Sequence, residues 1–296
     1  MTPYEFTVHA GHGLKAVGRQ LAADGVLAEG ESFWILGRLT GKARSIQAGT
    51  YRLDKPITPL EIIDKLARGD VVFLEMLFVE GTTLRQWLAA LAAHPQVKHT
   101  LADKSDADLR SLLGAEQPLE GWLFPSTYRF APGTADVDVL KRAHAAMKKR
   151  VADAWASRDP ATPLKTPYEA LILASIVEKE TGLAAERPLV ASVFLNRLKR
   201  PMRLQTDPTV IYGMGERFDG NIRKKDLSAD TPWNTYTRDG LPPTPIAMPG
   251  AASLRAVVNP AQSDYLYFVS RGDGSHEFSR SLEEHNRAVA KYQLGK

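Results

Sequence analysis

The spacing of hydrophobic residues changes period several times in the first seventy positions, as expected for a small unit of mixed strands and helices. The predicted elements there are a strand at Glu5–His9, a helix whose Leu14, Val17 and Leu21 share one face, a helix at Phe33–Leu39 and a strand at Gly49–Leu53. A further helix has clear end signals, because Thr58 can cap its start, Glu61 completes the capping box and Gly69 can end it.

The rest of the chain is predicted to be mainly helical. A strand at Val71–Val79 leads out of the first unit, and the boundary is predicted near Gly69–Glu75. The later predictions are helices at Thr83–Ala93 and Val137–Trp155 and short strands at Val210–Tyr212 and Tyr265–Val269. The expected fold class is therefore α+β, with a small α/β module at residues 1–74 and a helical domain with short strands at 75–296.

One predicted helix places an acid on its apolar face. Pro167 follows a capping Thr166, so this helix should run to about Thr181. Leu173, Ile176 and Val177 occupy positions i, i+3 and i+4 of one face, and Glu180 occupies i+7. Burial and the negative helix end would both raise the pKa of this carboxyl, as a general acid requires. The alternative is a structural Glu180 that either extends to solvent at the helix end or forms an ion pair with Arg187.

Composition narrows the function. Of 296 residues, 38 are basic and 34 acidic, and a net charge of +4 is too small for a dedicated nucleic-acid binder. No run reaches the ~20 apolar residues of a membrane span, and no signal peptide is visible, so the chain is predicted to be soluble as given. Without cysteine, and with His9 and His12 as the single close histidine pair, no metal site or cofactor is expected.

Several long, ordered motifs resemble the MltG/YceG endolytic murein transglycosylases. They are Ala174–Thr181, Val193–Leu198, Leu204–Tyr212, Asn234–Tyr236, Gly240–Pro243, Tyr265–Val269 and His285–Asn286. Gln47–Leu53 and Thr58–Ile62 resemble a LysM-like subdomain. The resemblance covers nearly the whole chain, except that the family's N-terminal transmembrane anchor is absent here.

The resemblance implies a bacterial enzyme on the periplasmic face of the inner membrane, with cell-wall synthases as further partners. It implies cleavage of nascent peptidoglycan between N-acetylmuramic acid (MurNAc) and N-acetylglucosamine (GlcNAc), leaving a 1,6-anhydroMurNAc end. The family's catalytic glutamate falls on Glu180. A single acid suffices, because the C6 hydroxyl of the substrate replaces water as the nucleophile.

Sugar-binding residues are predicted from side chains that suit hydroxyl groups and ring faces. The candidates are Gln205, Thr206 and Asp207 on a proline-stiffened loop, Asn234 and Tyr236 in a second loop, Glu120 beside Gly121, and His276 in a glycine-rich hairpin. Each also has a purely structural interpretation as a turn, cap or solvated residue.

Two other functions remain open at this point. A non-catalytic peptidoglycan-binding protein would keep Glu180 as a structural residue. A hydrolytic muramidase would need a second carboxylate, for which Asp207 or Glu186 is the candidate.

Overall fold

The computed structural model describes residues 3–295, which form twelve α-helices and three two-stranded sheets in two compact units. The first unit is the chain up to Met76 together with Gln96–Lys98 and Tyr128–Thr134, and the rest forms the second. The strands are β1 (Tyr4–Val8), β2 (Gly49–Leu53), β3 (Leu74–Leu77), β4 (Thr127–Phe130), β5 (Tyr267–Ser270) and β6 (His276–Ser279). The helices are α1 (Leu14–Ala23), α2 (Gly30–Leu39), α3 (Pro59–Arg68), α4 (Leu84–Ala93), α5 (Asp106–Leu113), α6 (Asp136–Ala156), α7 (Pro167–Glu180), α8 (Arg187–Lys199), α9 (Asp207–Met214), α10 (Lys224–Ser228), α11 (Ala251–Val258) and α12 (Leu282–Tyr292).

The first unit has its own core, which packs against an antiparallel pair of strands. β1 and β2 are antiparallel, with Tyr4 opposite Leu53 and Val8 opposite Gly49. Their inward side chains pack on α1, α2 and α3, and the predicted face of Leu14, Val17 and Leu21 is buried. The predicted capping box of α3 is also present, and Gly69 ends this helix in the left-handed conformation. The likeness of this unit to LysM stays a prediction.

Helix α7 is the centre of the second unit. Every residue from Ala170 to Val177 is buried, because α6, α8, α9 and α11 pack around it. The helix begins at Pro167 after the Thr166 cap, as predicted, and its last residue is Glu180. A helix that is buried on all sides cannot shift without disrupting the core. The side chain of Glu180, at the end of this helix, therefore starts from a fixed backbone position.

The predicted strand at Val210–Tyr212 is wrong, since these residues lie in α9. Asp207 and Pro208 form the first turn of that helix, where a proline needs no hydrogen-bond donor and an acid interacts favourably with the helix dipole. They therefore begin a helix instead of forming the predicted loop. The strand predicted at Tyr265–Val269 begins two residues later, as β5, and is antiparallel to β6.

Within residues 3–295, none of the helices has the length and hydrophobicity needed to cross a bilayer.

Candidate active site

Glu180 is a half-buried acid at the C-terminal end of α7. The pKa of its carboxyl is raised from 4.5 to about 7, mainly by desolvation and to a smaller extent by the charge of Asp207. A hydrogen bond from the Thr206 hydroxyl to Oε1, and the nearby His276 and Arg197, act in the opposite direction. Burial is the largest of these effects, so a substantial fraction of Glu180 is protonated at neutral pH.

The segment before α9 holds Thr206 against this acid. Gln205 has a φ of +49°, a conformation that non-glycine residues seldom adopt and that the surroundings must enforce. Its N–H donates to the carbonyl of Thr235 at 3.1 Å, and the N–H of Thr206 donates to Thr235 Oγ1, also at 3.1 Å. The Thr209 and Thr235 hydroxyls lie 2.9 Å apart. These buried bonds fix the Thr206 hydroxyl next to Glu180.

A second hydrogen-bonded pair lies beside the acid. The Tyr236 hydroxyl donates to Asp207 Oδ1 at 2.6 Å, and burial together with this carboxylate raises the pKa of Tyr236. Asn234 positions the tyrosine, because its Oδ1 accepts the Tyr236 N–H at 2.8 Å. Its amide group donates to the carbonyls of Leu227 and Ala229 at 3.0 and 2.7 Å. Asn234 is 1% exposed and is used in holding this loop.

Glu180, Gln205, Thr206, Asp207 and Tyr236 line one cavity of about 500 Å³. We call this the acid cavity. His276 also lines it, with its ring Nδ1 2.7 Å from Glu186 Oε2 and its backbone N–H donating to Glu186 Oε1 at 3.0 Å. Glu186 thus orients His276 and is not among the residues that line the cavity, which weakens its candidacy as a second carboxylate.

The structure brings six of the eight predicted site residues to the acid cavity and leaves two outside it. Asn234 is not among the residues that line this cavity, and its side chain holds the Tyr236 loop as described above, so its contact with substrate stays a prediction. Glu120 lies in a second, larger cavity. Its carboxyl accepts the N–H of Leu84 at 3.1 Å and the Tyr212 hydroxyl at 3.2 Å, and burial raises its pKa to about 7.

Three cavity residues had no strong signal in the sequence. Arg197 lines the cavity while its guanidinium donates to the carbonyls of Leu266 at 2.7 Å and Leu204 at 2.8 Å. Tyr267 and His285 also line it, with ring centres 5.2 Å apart. Arg197 and His285 lie in motifs that the resemblance covers, but a helix-face arginine or histidine is more often a surface residue.

Of the two structural alternatives for Glu180, the ion pair with Arg187 is wrong. Arg187 Nη2 instead lies 3.2 Å from Glu178 Oε1. Glu178 also accepts the Gly250 N–H and the Ser253 hydroxyl, each at 2.8 Å. The two glutamates of this turn therefore differ in role. Glu178 binds partners within the fold, whereas Glu180 lines the cavity.

The raised pKa of Glu180 predicts a pH-dependent stability change for Glu180→Gln. Ionisation is easier in the unfolded chain, so the stability that protonated Glu180 provides below pH 4.5 is lost as the pH rises through about 7. A glutamine does not titrate. The variant should therefore gain about 3 kcal/mol in free energy of unfolding relative to the wild type between pH 4 and pH 8. Urea unfolding at both pH values measures this, and an unchanged difference would contradict the raised pKa.

Comparison with known proteins identifies the family. Residues 6–291 match the YceG-like family, so the chain belongs to it, and the resemblance seen in the sequence is confirmed. An endolytic murein transglycosylase of Bacillus subtilis (strain 168) is 34% identical, over 98% of this chain and 85% of its own length. One of Streptococcus pneumoniae (serotype 2, strain D39) is 28% identical, over 95% of this chain and 57% of its own length. The crystal structure of a yceG-like protein from Listeria monocytogenes has a TM-score of 0.60 and 29% identity, covering 97% of this chain and all of that one.

Proposed function

We propose that this chain is a peptidoglycan lytic transglycosylase that cleaves the β-1,4 bond between MurNAc and GlcNAc, with Glu180 as its single acid and base. The observation that carries the proposal is a desolvated carboxyl, with a pKa of about 7, that faces a cavity large enough for sugar. The names of the relatives agree with this activity and with peptidoglycan as the substrate.

The hydrogen bonds of Glu180 suggest how the proton is placed. The Thr206 hydroxyl donates to Oε1, so the acidic proton belongs on Oε2. In the first step this proton passes to the bridging oxygen, the bond from C1 of MurNAc to that oxygen breaks, and an oxocarbenium-like sugar forms. In the second step the C6 oxygen bonds to C1, and its proton returns to Glu180. Atoms balance without water, and the acid is regenerated.

The other carboxylate that lines the acid cavity in the described part of the chain is Asp207. Since it accepts the Tyr236 hydroxyl, we infer that it holds the tyrosine and sugar hydroxyls, together with Gln205, and does not activate water. His276, oriented by Glu186, is a further proposed sugar contact in the same cavity. A hydrolytic muramidase that uses Asp207 is the second candidate, and a non-catalytic glycan-binding protein is the third.

The mass of the products distinguishes these functions. Purified glycan strands that carry stem peptides are digested with the wild-type protein, and with Glu180→Gln as the negative control. We expect 1,6-anhydroMurNAc ends, which are lighter by one water than reducing ends. Reducing ends would instead support the muramidase. Binding without any cleavage by the wild type would support a binding protein.

The place of action implied by the resemblance is the cell wall, on the periplasmic face of the inner membrane. Anchoring, synthase partners and glycan binding by the LysM-like unit remain predictions from family resemblance, since no contact in residues 3–295 tests them.

The Thr206 hydroxyl should set the upper pH limit of the reaction. A general acid acts in its protonated form, so kcat/KM is expected to fall as the pH rises through about 7. Thr206→Val removes a hydrogen bond that favours ionised Glu180, which raises its pKa and moves the fall to higher pH. Thr206→Ser keeps the donor and should retain the wild-type profile. A pH profile of kcat/KM for the three proteins is the measurement, and a downward shift in the valine variant would contradict the assignment.

A further inference from the structure

The second unit contains another cavity, of about 970 Å³, that the proposed reaction does not use. It is lined by Lys179 and Pro208, whose chain neighbours Glu180 and Asp207 line the acid cavity. Consecutive Cα atoms are only ~3.8 Å apart, so the end of α7 and the start of α9 each contribute neighbouring residues to both cavities. A chain-like ligand that lies across Glu180 can therefore extend into this space, which we call the distal cavity.

The lining of the distal cavity suits a sugar. Tyr212 and Trp233 line it with half-buried rings whose centres are 5.4 Å apart and inclined at 66°. The indole N–H of Trp233 donates to Thr244 Oγ1 at 2.9 Å, which fixes the ring. Exposed Arg85 and Gln86 lie at the rim, on α4. Aromatic faces pack on the apolar faces of sugar rings, while the rim side chains can bind hydroxyl and acetamido groups.

Glu120 gives this cavity a defined wall. It is 8% exposed, and its carboxyl accepts both the first N–H of α4, from Leu84, and the Tyr212 hydroxyl. One buried acid thus ties α4, which carries Arg85 and Gln86, to the aromatic side of the cavity. Such buried hydrogen bonds hold the cavity walls in place before a ligand binds. Binding there therefore has a small free-energy cost for ordering side chains and loops.

We propose that the distal cavity binds the β-1,4-linked GlcNAc-MurNAc chain on one side of the bond at Glu180. Its volume lies in the range of ligand sites, ~300–1,000 Å³. Together the two cavities hold a strand that continues past the acid, and strand length then determines affinity. The inference rests on the proposed function for the identity of the glycan. The stem peptide is the competing occupant, and the test separates the two.

The experiment uses the Glu180→Gln protein, which retains the cavities, and peptide-free GlcNAc-MurNAc oligomers of four and eight sugars. Calorimetry should show tighter binding of the longer oligomer. Adding Trp233→Ala should weaken binding of the eight-sugar oligomer about tenfold, which is ~1.4 kcal/mol. Adding Arg85→Ala, on an exposed helix face, should weaken it about threefold and provides the test if the tryptophan variant does not fold. Trp155→Ala is the matched control. Trp155 lies on α6 and lines neither cavity, so its loss should leave binding unchanged.

The outcomes separate this inference from the proposed function. If the wild type produces anhydro ends but the Arg85 and Trp233 variants bind eight sugars as tightly as Glu180→Gln alone, the distal cavity is not a glycan site. If these variants lose affinity only for peptide-bearing strands, the occupant is the stem peptide and the inference is overturned. If the eight-sugar affinity falls as expected but the wild type cuts nothing, the glycan site stands and the transglycosylase proposal fails.

Discussion

Glu180→Gln is expected to lower the turnover of glycan strands by about 10⁴-fold, because a general acid or base contributes ~10²–10⁴ and this residue performs both roles. Glutamine keeps the shape of the side chain and can still accept the Thr206 hydroxyl, but it has no acidic proton to donate. The same substitution should stabilise the fold at pH 8, so loss of activity and gain of stability would occur together. That combination is typical of residues kept for catalysis at a cost in stability.

Release of anhydroMurNAc ends over time, together with a thermal melt, measures this effect. The exposed Glu116→Gln is a matched control that should retain full turnover. If Glu180→Gln still produces anhydro ends at more than about a hundredth of the wild-type rate, another acid serves the reaction. The next residues to test would then be Glu178 and Glu120.

Glu178→Ala is expected to destabilise the protein by ~3 kcal/mol, because it leaves the buried Arg187 without its partner. The side chains of Glu178 and Arg187 are 5% and 11% exposed. Glu178 also accepts the Gly250 N–H and the Ser253 hydroxyl at the start of α11, so three helices meet at this carboxylate. Glu80 carries a carboxyl near the same arginine, and this keeps the expected loss at the lower end of the ~3–5 kcal/mol range.

Urea unfolding at neutral pH measures this loss. Glu178→Gln retains the hydrogen-bonding oxygen and should lose less than the alanine variant. Combining Glu178→Ala with Arg187→Met removes both charges and should recover part of the stability. A loss below about 1 kcal/mol in Glu178→Ala would mean that this ion pair contributes no more than an exposed one.

Local sequence signals determined several of the helices of this protein. The α3 capping box, the Thr166 cap and Pro167 at the start of α7 are short-range signals that depend only on neighbouring residues. The position of Glu180 at i+7 of an apolar stripe followed from the helical period alone. It also indicated, correctly, an acid at the edge of the core whose pKa is raised.

The predicted strand at Val210–Tyr212 and the predicted apolar face of α7 both differ from what the structure shows. The three apolar residues Val210–Tyr212 fit a strand or a helix equally well. In the structure they belong to α9, which has Pro208 in its first turn. The stripe on α7 proved to be part of a helix that is buried on all sides, because four other helices surround it.

Only the tertiary structure decided the partners of the site residues. Thr206 reaches Glu180, His276 reaches Glu186, and Arg187 pairs with Glu178, across separations of 26, 90 and 9 positions. No periodicity in the chain encodes such pairs, because they form where separate helices and loops meet. The acid itself could be read from the sequence, whereas the walls of its cavity and the distal cavity exist only once the second unit has folded around α7.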